Sequence, residues 1–261
     1  MSGVRSPAVA GLFYPDDPQV LQKTLAACLE SGAPQQEAPP KALIVPHAGY
    51  PYSGAAAGSV YLSCEEQASR ISRIVLLGPS HRVAFRGLAL PTTSAFQTPL
   101  GNLEIDAEAV ARIAECANVI YSDQAHAQEH SLEVQLPFIQ TIFPNARIVP
   151  LVVGDSGAED VARVIETLWG GEETLVVVSS DLSHFHAAPE AEARDSRTSA
   201  RILNLETDLK GEDACGCRAI NGLLLACKRR GMQGRQLALT HSGVRTGDNS
   251  RVVGYGGYAF S

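Results

Sequence analysis

Three of the seven histidines follow short apolar runs almost at once: His47 comes after KALIVP, His81 after RIVLLGPS and His184 after TLVVVSSDLS. An imidazole can ligate a metal, carry a proton near neutral pH, or hydrogen-bond through either ring nitrogen. If the apolar runs are strands of an open α/β sheet, the three rings stand just beyond the strands' carboxyl ends, the rim where such sheets bind ligands. Side chains from three strands can converge there on one point. Taken singly, each histidine reads as a solvated or hydrogen-bonded loop residue; the shared placement is what points to a site.

The neighbouring residues add detail. PHAGYPYSG surrounds His47 with Pro46, Gly49 and Gly54, and GPSH gives His81 a comparable setting, turns in which the backbone can approach a bound group closely. In SSDLSHFH, Asp181 can accept a hydrogen bond from an imidazole and fix its tautomer, or it can cap its own turn. The segment AHAQEHSLEVQLPF carries His126, Glu129, His130 and Glu133 at the start of a predicted helix. The two histidines are spaced as in HExxH, but the glutamate is misplaced, so a zincin assignment fails. His130 is either a pocket residue or a polar residue facing water at a helix entrance.

The elements that must position these residues alternate short β-branched runs with longer amphipathic segments. Strands are expected from Lys41, Arg73, Gly87, Arg147 and Thr174, with RQLALTH from Arg235 and VVGYGGYAF from Val252 finishing the sheet. The first runs are apolar throughout, as strands buried on both faces are. Helices are expected over 18–30, 53–65, 106–117, 131–143, 158–169, 189–205 and 219–230, with Asp106 as an N-cap and Pro137 kinking the 131–143 helix. The fold class is α/β, a central mostly parallel or mixed sheet flanked by helices on both faces. One domain spans 1–261, and SGAPQQEAPP, residues 31–40, is a surface connector.

Composition excludes several classes of function. A net charge of -7 argues against a nucleic-acid partner. The one basic run, Lys228 to Arg230, reads as the last turn of a helix stopped by Gly231. No signal peptide is visible and no apolar run approaches the ~18 residues of a spanning helix, so no membrane is expected and the location is cytoplasmic. The six cysteines lack a CxxC pair and are expected to be reduced.

In order along the chain, PAVAGLFYP near Pro7, PHAGYPYSG, LLGPSH, TPLGNLEID, EHSLEVQLPF, PLVVG, SSDLSH and GYGGYAF resemble the Memo family, known in bacteria and archaea as the B protein of the AmmeMemoRadiSam system. The set covers nearly the whole chain. The resemblance implies a fold similar to the class III, protocatechuate-type extradiol dioxygenases, in which two histidines and a carboxylate hold ferrous iron. It maps the two histidines to His47 and His81 and puts Cys215, in CGCRAI, where the carboxylate stood, with Cys217 the lesser choice. Two imidazoles and a thiolate favour copper(I), zinc or iron(II) over magnesium or calcium. The implied cofactor is Fe(II) or Cu, with Zn acquired on purification. The resemblance further implies His184 as the acid/base residue and His130 as a second pocket histidine; Asp181, from its place beside them in SSDLSH, is expected to complete the catalytic set. The expected function is a metal-binding, redox-related and oxygenase-like protein acting on a small molecule. The alternative is a non-catalytic adaptor whose vestigial pocket holds a peptide or a metal. Radical-SAM and AMMECR-type proteins of the same system are the protein partners the family name suggests.

Overall fold

Four apolar runs lie side by side as parallel strands at the centre of the molecule: Ala42–Val45, Thr174–Ser179, Arg73–Pro79 and Arg147–Val153. Nearly every residue in them is buried, because helices cover both sheet faces and leave no polar side to alternate with. The computed structural model describes residues 2–30 and 38–261. Residues 31–37 of the expected connector lie outside the described residues, and 38–40 have no regular structure.

The sheet is mixed, as an α/β fold with both faces covered allows. The C-terminal strand Val252–Phe260 runs antiparallel to Ala42–Val45, and Gly234–His241 pairs antiparallel with it in turn. On the far side Leu88–Leu90 runs antiparallel to Arg147–Val153, and Val119–Tyr121 pairs parallel with Leu88–Leu90. A second, three-stranded sheet joins Val4–Arg5, Ala95–Thr98 and Gly101–Glu104. Its strands are two to four residues long, too short for a periodic signal, and sequence reading passed over them.

Asp106 caps its helix as expected, its side chain accepting from the Ala109 N–H. The basic run ends the helix Cys217–Arg229 before Gly231, whose φ of 65° stops it. Arg229 and Arg230 pair with Glu159 and Glu166, so these charges bind the neighbouring helix. One expectation needs correction. The segment expected to be a single helix over 131–143 is a 3-10 turn, Glu133–Gln135, leading into the helix Leu136–Ile142. Pro137 therefore sits in a first turn, where its missing N–H removes no hydrogen bond and no kink results. No helix among the described residues is long and apolar enough to cross a membrane.

Candidate metal centre

His47 emerges two residues after Val45 and is almost wholly buried, at 1% exposure. Its ring is fixed by a chain of hydrogen bonds whose direction can be worked out. The Ser179 hydroxyl donates its single proton to the Ser131 carbonyl at 2.7 Å and accepts from the Gln135 amide at 2.8 Å. It can only accept from His47 Nδ1, at 2.9 Å, so that nitrogen carries the proton and Nε2 presents a lone pair. The amide orientation is itself set, because Gln135 Nε2 also donates to the Pro46 carbonyl while Oε1 accepts from the Tyr61 hydroxyl. A residue at the end of one strand is thus aimed by a second strand and by the EHSLEVQ turn.

His81 is oriented by a different partner. Glu129, 1% exposed, accepts from the His81 backbone N–H at 2.6 Å and from ring Nδ1 at 2.8 Å, and also takes the Ser131 N–H at 3.0 Å. Burial by itself would raise this carboxyl, but the His81 ring and the backbone donors outweigh it and bring Glu129 down to about 2. An ionised carboxylate can only accept, so His81 Nδ1 donates and its Nε2 is also left free. His130 stacks on His81, ring centres 4.6 Å apart, and its ring centre lies 4.7 Å from that of Phe13. Its Nδ1 lies 3.5 Å from the same Glu129 oxygen.

The rings of His47, His81 and His130 each offer one nitrogen within 4.8 Å of the others. Burial and the neighbouring imidazoles push His47 well below the ordinary histidine range. Burial brings His130 down to about 4, Glu129 opposing. Both are neutral at pH 7, the state in which a histidine binds a metal. Carboxylate and hydroxyl partners on the outer nitrogens of His81 and His47 are those that metal-binding histidines ordinarily carry.

Cys215 borders this group at His47, with its Sγ 3.4 Å from Nε2. The Asp181 N–H points at the sulfur, at 3.3 Å, and the Cys215 N–H bonds back to the Asp181 carbonyl. Burial first, and then the Asp181 carboxyl, raise the thiol to about 12, so it is protonated unless a cation displaces the proton. Gly216 makes this approach possible: a Cβ there would stand 2.7 Å from Ser180 Cβ and 2.8 Å from the Ser179 carbonyl. Cys217 is buried in the hydrophobic core.

Asp181 neither fixes an imidazole tautomer nor caps its own turn. Its carboxylate accepts from the backbone N–H of His47 at 2.8 Å, tying two strand ends together, and its nearest imidazole nitrogen is His47 Nε2 at 4.0 Å. Burial raises its carboxyl to about 7, with the His47 and Ala48 N–H groups opposing. His184 lies on a three-residue strand, His184–His186, where a loop was expected, paired with the C-terminal strand through a register shift. It lines a cavity of about 430 Å³ together with His130, Asp181 and Tyr52. Cys215 faces a separate cavity of about 210 Å³ beside Phe85 and Arg218. Of the expected residues, the fold gathers His47, His81 and His130 most closely, sets Cys215 and Asp181 at their edge, and puts His184 among the residues lining the adjoining cavity. Ser179 and Gln135 escaped notice in the sequence, and Glu129 was noted there without its role as the partner of His81. Glu129 precedes His130, but nothing in its local sequence announces a partner 48 residues away.

A family model described as Memo-like protein matches residues 5–259. A MEMO1 family protein from Nitrosopumilus maritimus is 32% identical over 275 residues, covering 98% of this chain and 99% of its own. Another from Aquifex aeolicus is 37% identical over 269 residues, covering 98% and 99%. Among solved structures, the uncharacterized protein JW3007 from Escherichia coli K12 superposes with a TM-score of 0.54 at 13% identity, covering 84% of this chain and 98% of that one. That likeness speaks to fold alone.

Proposed function

The chain belongs to the Memo family, and on that premise we propose that it is a metal-dependent, redox-related protein with one mononuclear centre, iron(II) or copper, at the carboxyl ends of the central strands. The observation that carries this is the convergence of three imidazoles, two of them with outer nitrogens already engaged and all three offering one nitrogen within 4.8 Å of the others. An imidazole-rich donor set with sulfur at its border suits iron, copper or zinc in preference to magnesium or calcium. His47, His81 and His130 would hold the ion, with Cys215 joining them as thiolate through its contact to His47.

When bound, the ion supplies Lewis acidity and one-electron chemistry to a ligand in the adjoining cavity. The protein's own part is to hold that ligand. Phe13, Tyr52 and Tyr255 give the cavity aromatic walls, and Gly49 and Ala48 let the backbone come close. His184, partly exposed among the residues lining the cavity and lowered mainly by burial, would accept a proton from a bound hydroxyl. Asp181, raised to about 7, is a second group that can exchange a proton near neutrality.

The test is metal analysis of untagged protein loaded anaerobically with iron(II) and separately with copper, followed by oxygen consumption with a panel of catechols and other chelating phenols. One ion per chain, lost in His47→Ala and in His130→Ala, supports the centre. Turnover that falls ~10²–10⁴-fold in His184→Ala while the ion is retained supports the proton-transfer role. Protein that takes up no ion at stoichiometric level overturns the reading.

A further inference from the structure

The mouth of the 430 Å³ cavity carries a guanidinium with no acidic partner among the described residues. Arg251 is exposed, and its Cζ sits 5.1 Å from the centre of the Phe185 ring. Phe185 is held in an unusual way. It lies between His184 and His186 with φ at +64°, in the left-handed region that a phenylalanine rarely adopts, and the residue is 61% exposed. An aromatic side chain at such a backbone angle, turned to solvent and not to the core, has no packing reason for being there. What it does stand beside is the Arg251 guanidinium and the His184 ring, whose centre is 5.7 Å away.

The charges around the arginine sharpen the point. Asp248 lines the same cavity, yet its Oδ1 is taken by the backbone N–H and hydroxyl of Ser250, at 2.9 and 2.7 Å. Arg251 forms no ion pair with it, although a guanidinium serving only to balance charge would pair with the acid beside it. Among the described residues Arg251 is also the sole lysine or arginine lining the cavity, whose other lining groups are apolar or hydroxyl-bearing, apart from Asp181, Asp248, His130 and His184. One planar fork matches one carboxylate through two parallel hydrogen bonds, whereas a doubly charged phosphate would call for a second cation.

We propose that this cavity takes a ring-bearing monocarboxylate, with Arg251, steadied on Phe185, binding the carboxylate at the mouth and the ring lying between the aromatic walls. The orientation of the ligand's far end toward the histidines rests on the metal-centre reading; the carboxylate contact does not. The specificity of the site then lies in a surface arginine outside the ligand set.

The experiment compares 3,4-dihydroxybenzoate with 3,4-dihydroxybenzamide by calorimetry at pH 7, on wild type and Arg251→Met, each metal-free and zinc-loaded. The acid is expected to bind wild type roughly tenfold or more tighter than the amide, the scale of a charge-assisted bidentate contact. Arg251→Met is expected to erase that preference, and Arg251→Lys to restore part of it. Equal binding of acid and amide to wild type, an undiminished preference in Arg251→Met, or no binding of the acid at millimolar concentration overturns the proposal. If zinc improves the affinity of neither compound, the metal-centre reading suffers, while the gap between acid and amide still decides the role of Arg251.

Discussion

Glu129 grips His81 twice, once at the backbone N–H and once at ring Nδ1, and the same carboxylate oxygen that holds the ring also lies within 3.5 Å of His130. One buried carboxylate therefore orients one of the three clustered imidazoles and stands beside a second. Replacing it with glutamine puts an amide where acceptors must face three N–H groups. Glu129→Gln is expected to weaken metal affinity about 10–100-fold, read by competition with a chromogenic chelator. Its signature against general damage is a normal near-ultraviolet circular dichroism spectrum in the metal-free variant.

The N-terminal segment is pinned to the site by Glu133, whose fully buried carboxylate receives Arg5, the Ala8 and Val9 N–H groups and the Tyr14 hydroxyl. Arg5 also donates to the carbonyls of His126 and Glu129. Removing only the cation leaves a buried carboxylate without its counter-charge. Arg5→Met is expected to cost about 3–5 kcal/mol in urea unfolding, and Arg5→Met/Glu133→Gln less than the sum of the two single changes.

His126 gives the fold an acid-sensitive point away from the cavity. Its Nε2 donates to the Ala89 carbonyl, and burial lowers its pKa to about 4, with that hydrogen bond opposing. The unfolded chain titrates this group near 6.5, so between pH 6.5 and 4 the unfolded state binds more protons and stability falls as pH falls. The loss approaches about 3 kcal/mol at the acid end. Denaturation midpoints across that window should decline less steeply for His126→Gln than for wild type; parallel curves would count against a neutral His126.

Thiol chemistry should separate the cysteines. Burial raises Cys64, Cys215 and Cys227 to about 12 and Cys28 to about 11, and it raises Cys217 as well. At pH 8 a thiol at 12 is ionised to about one part in ten thousand, and only the thiolate alkylates. Brief iodoacetamide treatment of metal-free native protein should therefore label the partly exposed Cys116 first, as mapped by peptide mass spectrometry. Rapid labelling of Cys215 would show its sulfur ionised without a metal.

The residue string by itself determined the sheet core and the rim. Strands covered on both faces must be apolar at every position, so Ala42–Val45, Arg73–Pro79, Arg147–Val153 and Thr174–Ser179 were legible, and His47 and His81 could be placed just past two of them. The ordered segments likewise carried the family. Tertiary structure alone decided which groups face one another. A ring's direction is set by partners from other elements: Ser179 and Gln135 for His47, Glu129 for His81, and Phe13 beside His130. Those partners lie far away in sequence and leave no periodic trace, because a hydrogen bond constrains distance in space and not spacing along the chain. For the same reason Asp181 turned out to fasten the His47 backbone, and Arg251 to stand over Phe185, contacts that no local pattern announces.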